Sequence, residues 1–184
     1  MKSINQYIYE KLKIKAQNKP SYKYFPKTKG ELKELLNQLI EEHGNDGDFN
    51  DIDTSSITDM SYLFDKQGGS DFDGDISKWN VSNVTTMESM FEDCTEFNGD
   101  LSKWDVSNVT NMKYMFNNCH TFEGKGLEKW DVSNVTNMKR MFANCDNLDI
   151  DKTINWNPIK LVNMDNMFVN VKKRFTKIPD WFIL

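Results

Sequence analysis

The sequence lacks an uninterrupted apolar run. With 38% hydrophobic residues it carries enough for a core, but no segment of the length and uniformity of a membrane span. Its opening stretch, Met1-Lys-Ser-Ile-Asn-Gln-Tyr-Ile-Tyr-Glu-Lys-Leu12, holds no apolar block of the kind a signal peptide requires. The expected location is therefore the cytoplasm that made the chain. A basic balance is missing too: the formal charge is −5, against the net positive face that marks a nucleic-acid binder. Cysteine is scarce, and its three copies are an odd number that fits reduced thiols better than a disulfide framework.

Chemistry-bearing groups are equally thin. Of the two histidines, His43 stands at an expected helix end and His120 beside a cysteine, and no serine or carboxylate constellation recurs around either. No Cys-x-x-Cys pair occurs, so Cys94, Cys119 and Cys145 are expected as buried core thiols, not zinc ligands. The acidic pieces Asp46-Gly-Asp-Phe-Asn-Asp-Ile-Asp53 and Asp71-Phe-Asp-Gly-Asp75 miss the glycine and closing glutamate of a calcium loop and read as solvated turns. The sequons at Asn83, Asn108 and Asn134 compete with a capping role for their threonines and lack a secretion signal. No enzyme, cofactor or metal is expected.

What the chain does have is repetition. Trp104-Asp-Val-Ser-Asn-Val-Thr-Asn-Met-Lys-Tyr-Met-Phe-Asn-Asn-Cys119 recurs nearly unchanged at Trp79–Cys94 and Trp130–Cys145. Degenerate copies begin at Ile52 and Trp156, giving a period of roughly 26 residues, inside the window of repeat architectures. Nine of the ten methionines fall in two columns of this alignment, which chance does not produce.

Within a unit, Met112, Met115, Phe116 and Cys119 lie at i, i+3, i+4 and i+7, which predicts a short helix, with Thr110 as its N-cap. In the second unit Thr85 and Glu88 complete a capping box. Lys103-Trp-Asp-Val-Ser107 alternates and predicts a short strand. The expected fold is an α/β repeat of about five strand-plus-helix units, with the strands stacked into a parallel sheet. Residues 46–171 form that repeat region. Residues 1–45 form an N-terminal helical capping region, with a first helix over 4–14. Thr28-Lys-Gly-Glu31 then opens a second helix whose stripe Leu32, Leu35, Leu36, Leu39 and Ile40 ends at Gly44. The stripe suits either a lid over the first repeat or a docking helix for a partner. Residues 172–184 form a C-terminal cap.

The recurring Trp-[Asp/Asn]-Val-Ser-Asn-Val-Thr-x-Met-x-x-Met-Phe-x-x-Cys, followed by Phe97-Asn-Gly-Asp-Leu-Ser-Lys103, resembles the BspA-like family of bacterial leucine-rich-repeat surface proteins. The likeness covers residues 52–171 and is strongest over 72–145. It implies a right-handed leucine-rich-repeat-type solenoid, binding to proteins or cell surfaces, and no catalytic residues. The N-terminal segment and the Pro-Lys-Thr-Lys-Gly-Glu-Leu stretch are similar to short repeat proteins of gut Bacteroidales and their phages. The expected function is a non-enzymatic protein-interaction module with a protein or glycan partner, no nucleic acid and no membrane span. The alternative is a structural component of a larger assembly such as a phage virion. The candidate interaction face is the polar side of the expected strands: Lys78, Lys103 and Lys129 beside Asn80, Asp105 and Asp131.

Overall fold

In the computed structural model, which describes residues 22–64 and 71–183, helix α1 spans Lys29–His43. Its start is fixed by Thr28, whose hydroxyl accepts from the Glu31 amide at 3.2 Å. The Glu31 carboxylate in turn accepts from the Lys27 amide at 2.6 Å, so two otherwise orphaned donors are satisfied. Gly44, at φ 83°, closes the far end in a conformation that favours glycine. Leu32, Leu36 and Leu39 are buried against the first repeat, with Leu35 and Ile40 partly covered. The helix expected over 4–14 lies outside the described residues. No described helix is long and apolar enough to cross a membrane.

The α/β solenoid of strand-plus-helix units is not what forms. Among the described residues there is one α-helix and three short 3-10 turns, Leu127–Lys129, Ile150–Thr153 and Asp180–Ile183. The expected sheet is reduced to isolated parallel bridges, one column of which runs Asp59, Thr86, Asn111, Asn137, Asn163. Leucine-rich-repeat architecture, with its strand and helix per unit, is therefore overturned.

The backbone hydrogen bonds give the reason. An α-helix would bond every interior amide four residues back. In the third unit the amides of Met112, Tyr114, Phe116 and Asn118 donate instead to Asn137, Lys139, Met141 and Ala143 of the next unit, each at 2.9 Å. Of the amides that alternate with them, Lys113 donates to the Asn111 side-chain oxygen at 3.1 Å, and Met115, Asn117 and Cys119 donate three residues back at 3.2, 3.0 and 3.1 Å. Alternate donors thus serve local turns and lateral pairing, and both sets are satisfied, as buried backbone requires. A helix would leave the units unjoined.

This path needs two left-handed residues per unit. They are Tyr114 at φ 58° and Asn118 at φ 64° in the third unit. Ser89 and Asp93, Arg140 and Asn144, and Asn166 and Asn170 take the same places elsewhere. Thr85, Thr110 and Thr136 are not helix caps. Each donates both its amide and its hydroxyl to the threonine carbonyl one unit back, Thr58, Thr85 and Thr110 respectively. The expected strand Lys103–Ser107 is likewise broken by tight turns, with the Trp104 amide on the Leu101 carbonyl at 3.1 Å. Its alternation survives: Trp104 is buried and Lys103 exposed. Gly126 sits at φ 99°, where a Cβ would lie 2.3 Å from the Ser102 amide nitrogen. Only glycine fits there.

The stacked turns bury a continuous core. Phe64, Phe91, Phe116, Phe142 and Phe168 stack face to face along the column at centroid spacings of 5.3, 5.3, 5.6 and 5.7 Å. Phe72, Phe97 and Phe122 from the return segments interleave with them. Each fully buried ring or methionine contributes about 1.5–3 kcal/mol of transfer free energy. The indole N–H groups of Trp79, Trp104, Trp130 and Trp156 donate to carbonyls 28 to 30 residues back, those of Phe49, Ile76, Leu101 and Leu127. Trp181 continues the same column, donating to the Thr153 carbonyl at 3.1 Å, so a partial sixth unit begins there.

Candidate interaction face

The expected candidate residues are all exposed, but their acidic members are occupied. Asp105 Oδ1 accepts from the amide and hydroxyl of Ser107 at 3.1 and 2.6 Å. Asn80 holds Ser82 in the same way, and Asp131 accepts from the Ser133 amide at 3.0 Å. That backbone bond keeps the Asp131 carboxyl below its ordinary pKa. These side chains build turns. Lys78, Lys103 and Lys129 remain as an exposed column at equivalent positions.

The other acidic stretches also shape local backbone. Asp48, Asp53 and Asp75 accept from the amides two residues on, Asn50, Ser55 and Ser77, and Asp73 accepts from the Asn98 amide. Among the described residues no three His, Cys, Asp or Glu side chains are grouped to hold a metal ion. Cys94, Cys119 and Cys145 are buried. The Cys119 and Cys145 thiols donate to the Phe91 and Phe116 carbonyls at 3.0 and 2.9 Å, and burial pushes both well above the ordinary thiol pKa. The sequon asparagines are used inside the fold: Asn83, Asn108 and Asn134 donate to the carbonyls of Ser55, Ser82 and Ser107.

A second flank, not anticipated from the sequence, runs along the first left-handed position of each unit, Tyr62, Ser89, Tyr114, Arg140 and Asn166. That conformation turns the side chain out of the apolar stripe at Tyr62, Arg140 and Asn166, partly so at Tyr114, while the small Ser89 stays buried. Tyr62 is 40% exposed; Arg140 is exposed and Tyr114 half-buried. Glu88 ties three units together here. It accepts from the Tyr62 hydroxyl at 3.0 Å, Lys113 Nζ at 2.9 Å and Asn111 Nδ2 at 2.9 Å. Partial burial pushes the Glu88 carboxyl up, but these bonds together bring it below the usual value. The same hydrogen bond to Glu88 raises the Tyr62 phenol and the Lys113 ammonium. Lys113 also lies 5.2 Å from the Tyr114 ring centroid, and Lys29 5.9 Å from that of Tyr62, within cation–π range. Lys29 bonds Asp59 and Ser61, and Lys33 bonds the Tyr62 carbonyl, so α1 extends this basic, aromatic surface. The signal for it was the odd residue out in each Met-x-Tyr/Arg-Met step.

Stacked tight turns, pinned laterally by alternate amides and carrying a pre-ordered aromatic and cationic flank, define a non-helical repeat protein. The chain belongs to the family described as "Mycoplasma protein of unknown function, DUF285", whose model matches residues 32–152 and 102–183. That match supports the likeness to BspA-like repeats. No curated protein and no solved structure matches the chain.

Proposed function

We propose that the chain is a non-enzymatic protein-interaction module and that the Tyr62–Tyr114–Arg140 flank is its binding surface. The observation that carries this reading is the Glu88 junction, which holds the exposed Tyr62 of the unit before it and the part-buried Lys113 of the unit after it in one geometry before any partner arrives. Tyrosine and arginine dominate binding energetics at protein interfaces, and groups already ordered lose little freedom on association. The lysine excess beside the tyrosines suits a protein partner presenting carboxylates. The lysine column at Lys78, Lys103 and Lys129 offers charge without an aromatic anchor and is the weaker surface.

The test is site-specific photo-crosslinking from position 140 in extracts of the native host, repeated with Tyr62→Ala/Tyr114→Ala. A discrete adduct with one protein, lost in the double variant while the melting temperature holds, supports the reading. The same adduct from both chains overturns it. Recovery of the chain in fixed stoichiometry within particles would replace it with the structural-component reading.

A further inference from the structure

The units are joined by one repeating device, and among the described residues the fifth unit presents it unused. In the fourth, the amides of Met138, Arg140, Phe142 and Asn144 donate to the carbonyls of Asn163, Asp165, Met167 and Val169. Their counterparts in the fifth, Met164, Asn166, Phe168 and Asn170, have no acceptor among the described residues, while Met167, Val169 and Val171 make the usual local turns. An asparagine ladder ends at the same place. Asn118 donates to Asp93, Asn144 to Asn118 and Asn170 to Asn144, which leaves the Asn170 carbonyl oxygen as the terminal acceptor.

The surroundings are apolar with a basic rim. Met164 and Phe168 are only partly buried, whereas their counterparts in the four preceding units are buried. Val162 and Ile178 are 85% and 58% exposed. A groove beside this edge is walled by Met164, Phe168, Phe175 and Phe182, with Lys173 and Arg174 among its lining. From residue 160 onward the chain carries Lys160, Lys172, Lys173, Arg174 and Lys177 against Asp165 and Asp180, although its overall charge is −5. Lys172 and Lys173 pair with Asp146 and Asp149 at 3.3 and 4.0 Å, both lysines more than half exposed. Arg174 rests on the Val171 carbonyl and Lys160 on Asn134.

We propose that this edge is a second binding site, separate from the tyrosine flank, that takes an extended acidic segment of another protein. The segment would supply alternate backbone carbonyls to the four amides, an apolar side chain to the groove and carboxylates to the rim. Adding a segment to an unpaired edge in this way is an established mode of peptide capture, and an uncovered edge is otherwise a hazard. A second copy of this chain does not fit. Its first-unit edge is occupied by α1, whose Lys29 and Lys33 bond Ser61 and the Tyr62 carbonyl. Two fifth-unit edges brought together would set donors against donors.

The fold itself supplies the probe. Residues 83–94, Asn-Val-Thr-Thr-Met-Glu-Ser-Met-Phe-Glu-Asp-Cys, are acidic, and their Thr86, Glu88 and Met90 carbonyls cover the first unit's amides of Met60, Tyr62 and Phe64. Residues 134–145 are the basic equivalent, with Lys139 and Arg140. Each is synthesised as a labelled peptide, with serine replacing cysteine, and titrated against the full chain by fluorescence anisotropy, with amide exchange followed by NMR. The 83–94 peptide should bind and slow exchange at Met164, Asn166, Phe168 and Asn170, which exchange rapidly beforehand. The 134–145 peptide should bind at least about tenfold more weakly, because like charges oppose it. Lys173→Glu/Arg174→Glu should reverse that preference, while Lys103→Glu should not. No binding by the acidic peptide, protection confined to the tyrosine flank, or an unchanged preference in the charge-reversed variant would each overturn the proposal. So would slow exchange of the four amides in the peptide-free chain.

Discussion

The indole N–H of Trp104 donates to the backbone carbonyl of Ile76 at 3.3 Å, tying the third unit to the segment that leads into Trp79 from inside the core. The buried Ile76 carbonyl thereby accepts twice, from this indole and from the Trp79 amide at 3.0 Å. Trp104→Ala should remove the ring and one of the two donors to that carbonyl, which keeps the Trp79 amide at 3.0 Å, at a cost of about 3–5 kcal/mol set mainly by the cavity. Trp104→Phe keeps most of the apolar volume and loses the donor, so it should cost less, about 1–3 kcal/mol. Lys103→Ala, one residue away and exposed, should shift stability by under about 0.5 kcal/mol. Denaturant midpoints of the three variants check the order.

The thiols offer a test with a different readout. Cys119 and Cys145 donate to carbonyls one unit back, and burial opposes their ionisation. The thiolate is the reactive form, so a disulfide reagent should label neither in the native chain and should label both after denaturation. Chelators should leave the melting temperature unchanged. Rapid native labelling would show that the core opens locally.

Two glycines should respond in opposite directions. At Gly126 an alanine Cβ would lie within 2.6 Å of the Leu101 and Ser102 backbone, at a φ of 99°. Gly126→Ala should therefore destabilise by more than about 1 kcal/mol, since neither strain nor overlap can relax locally. At Gly30, inside α1, the nearest atom to such a Cβ is Thr28 Oγ1 at 3.9 Å. Gly30→Ala should stabilise by about 0.5–1 kcal/mol. Calorimetry of both variants gives the signs.

Acid should loosen the turns through a defined window. The Ser102 amide, then its hydroxyl and Lys125, hold the Asp100 carboxyl from its ordinary 3.8 down to about 2; Lys125 lies 3.0 Å away. A pKa lowered by folding means the native state favours the ionised form. Its stabilisation is present above the unfolded value and is lost as pH falls through the folded one. Asp59, Asp75, Glu88 and Asp131 are shifted the same way, so the losses should accumulate on acidification below about 4. Asp100→Asn should flatten the stability profile between about 4 and 2, because the amide oxygen still accepts from the turn, as Asn80 does for Ser82. Urea midpoints measured against pH check it.

How much of this was legible depends on which residues carried a unique signal. α1 was readable because its Thr28–Glu31 pair, leucine period and Gly44 agree. The repeat and its buried columns were readable because identical side chains recur. The secondary structure inside a unit was not: Met112, Met115, Phe116 and Cys119 meet a helical spacing, yet consecutive three-residue turns place the same residues inward. Asn118, Asn144, Asn166 and Asn170 did carry a hint, since asparagine tolerates left-handed backbone. Ser89, Tyr114 and Arg140 carried no such backbone hint, only their place as the odd residue inside a Met-x-x-Met step. The tyrosine flank was hidden for that reason, while Trp181, 25 residues beyond Trp156 in the numbering, was a legible continuation of the tryptophan column. The Asp-Val-Ser turn residues read as a free acidic surface until their serine partners were seen.

The N-terminal edge gives the last prediction. α1 lays Leu32, Leu36 and Leu39 against the first unit, where Ile52, Ile57, Met60 and Leu63 are buried, and Lys29 and Lys33 anchor it to Asp59, Ser61 and the Tyr62 carbonyl. First-unit side chains left without that cover would face water, and repeat proteins depend on nearest-neighbour interfaces for their stability. A chain lacking residues 1–45 should therefore self-associate in light scattering and melt lower, although every tryptophan-bearing unit is retained. Leu32→Ala/Leu36→Ala in the full chain separates packing from loss of the segment as a whole. It should lower stability by about 2–5 kcal/mol per leucine at most without deleting any backbone. A truncated chain that stays monomeric at an unchanged melting temperature would mean α1 is held in place without stabilising the stack. Its leucine stripe would then be a partner-docking surface.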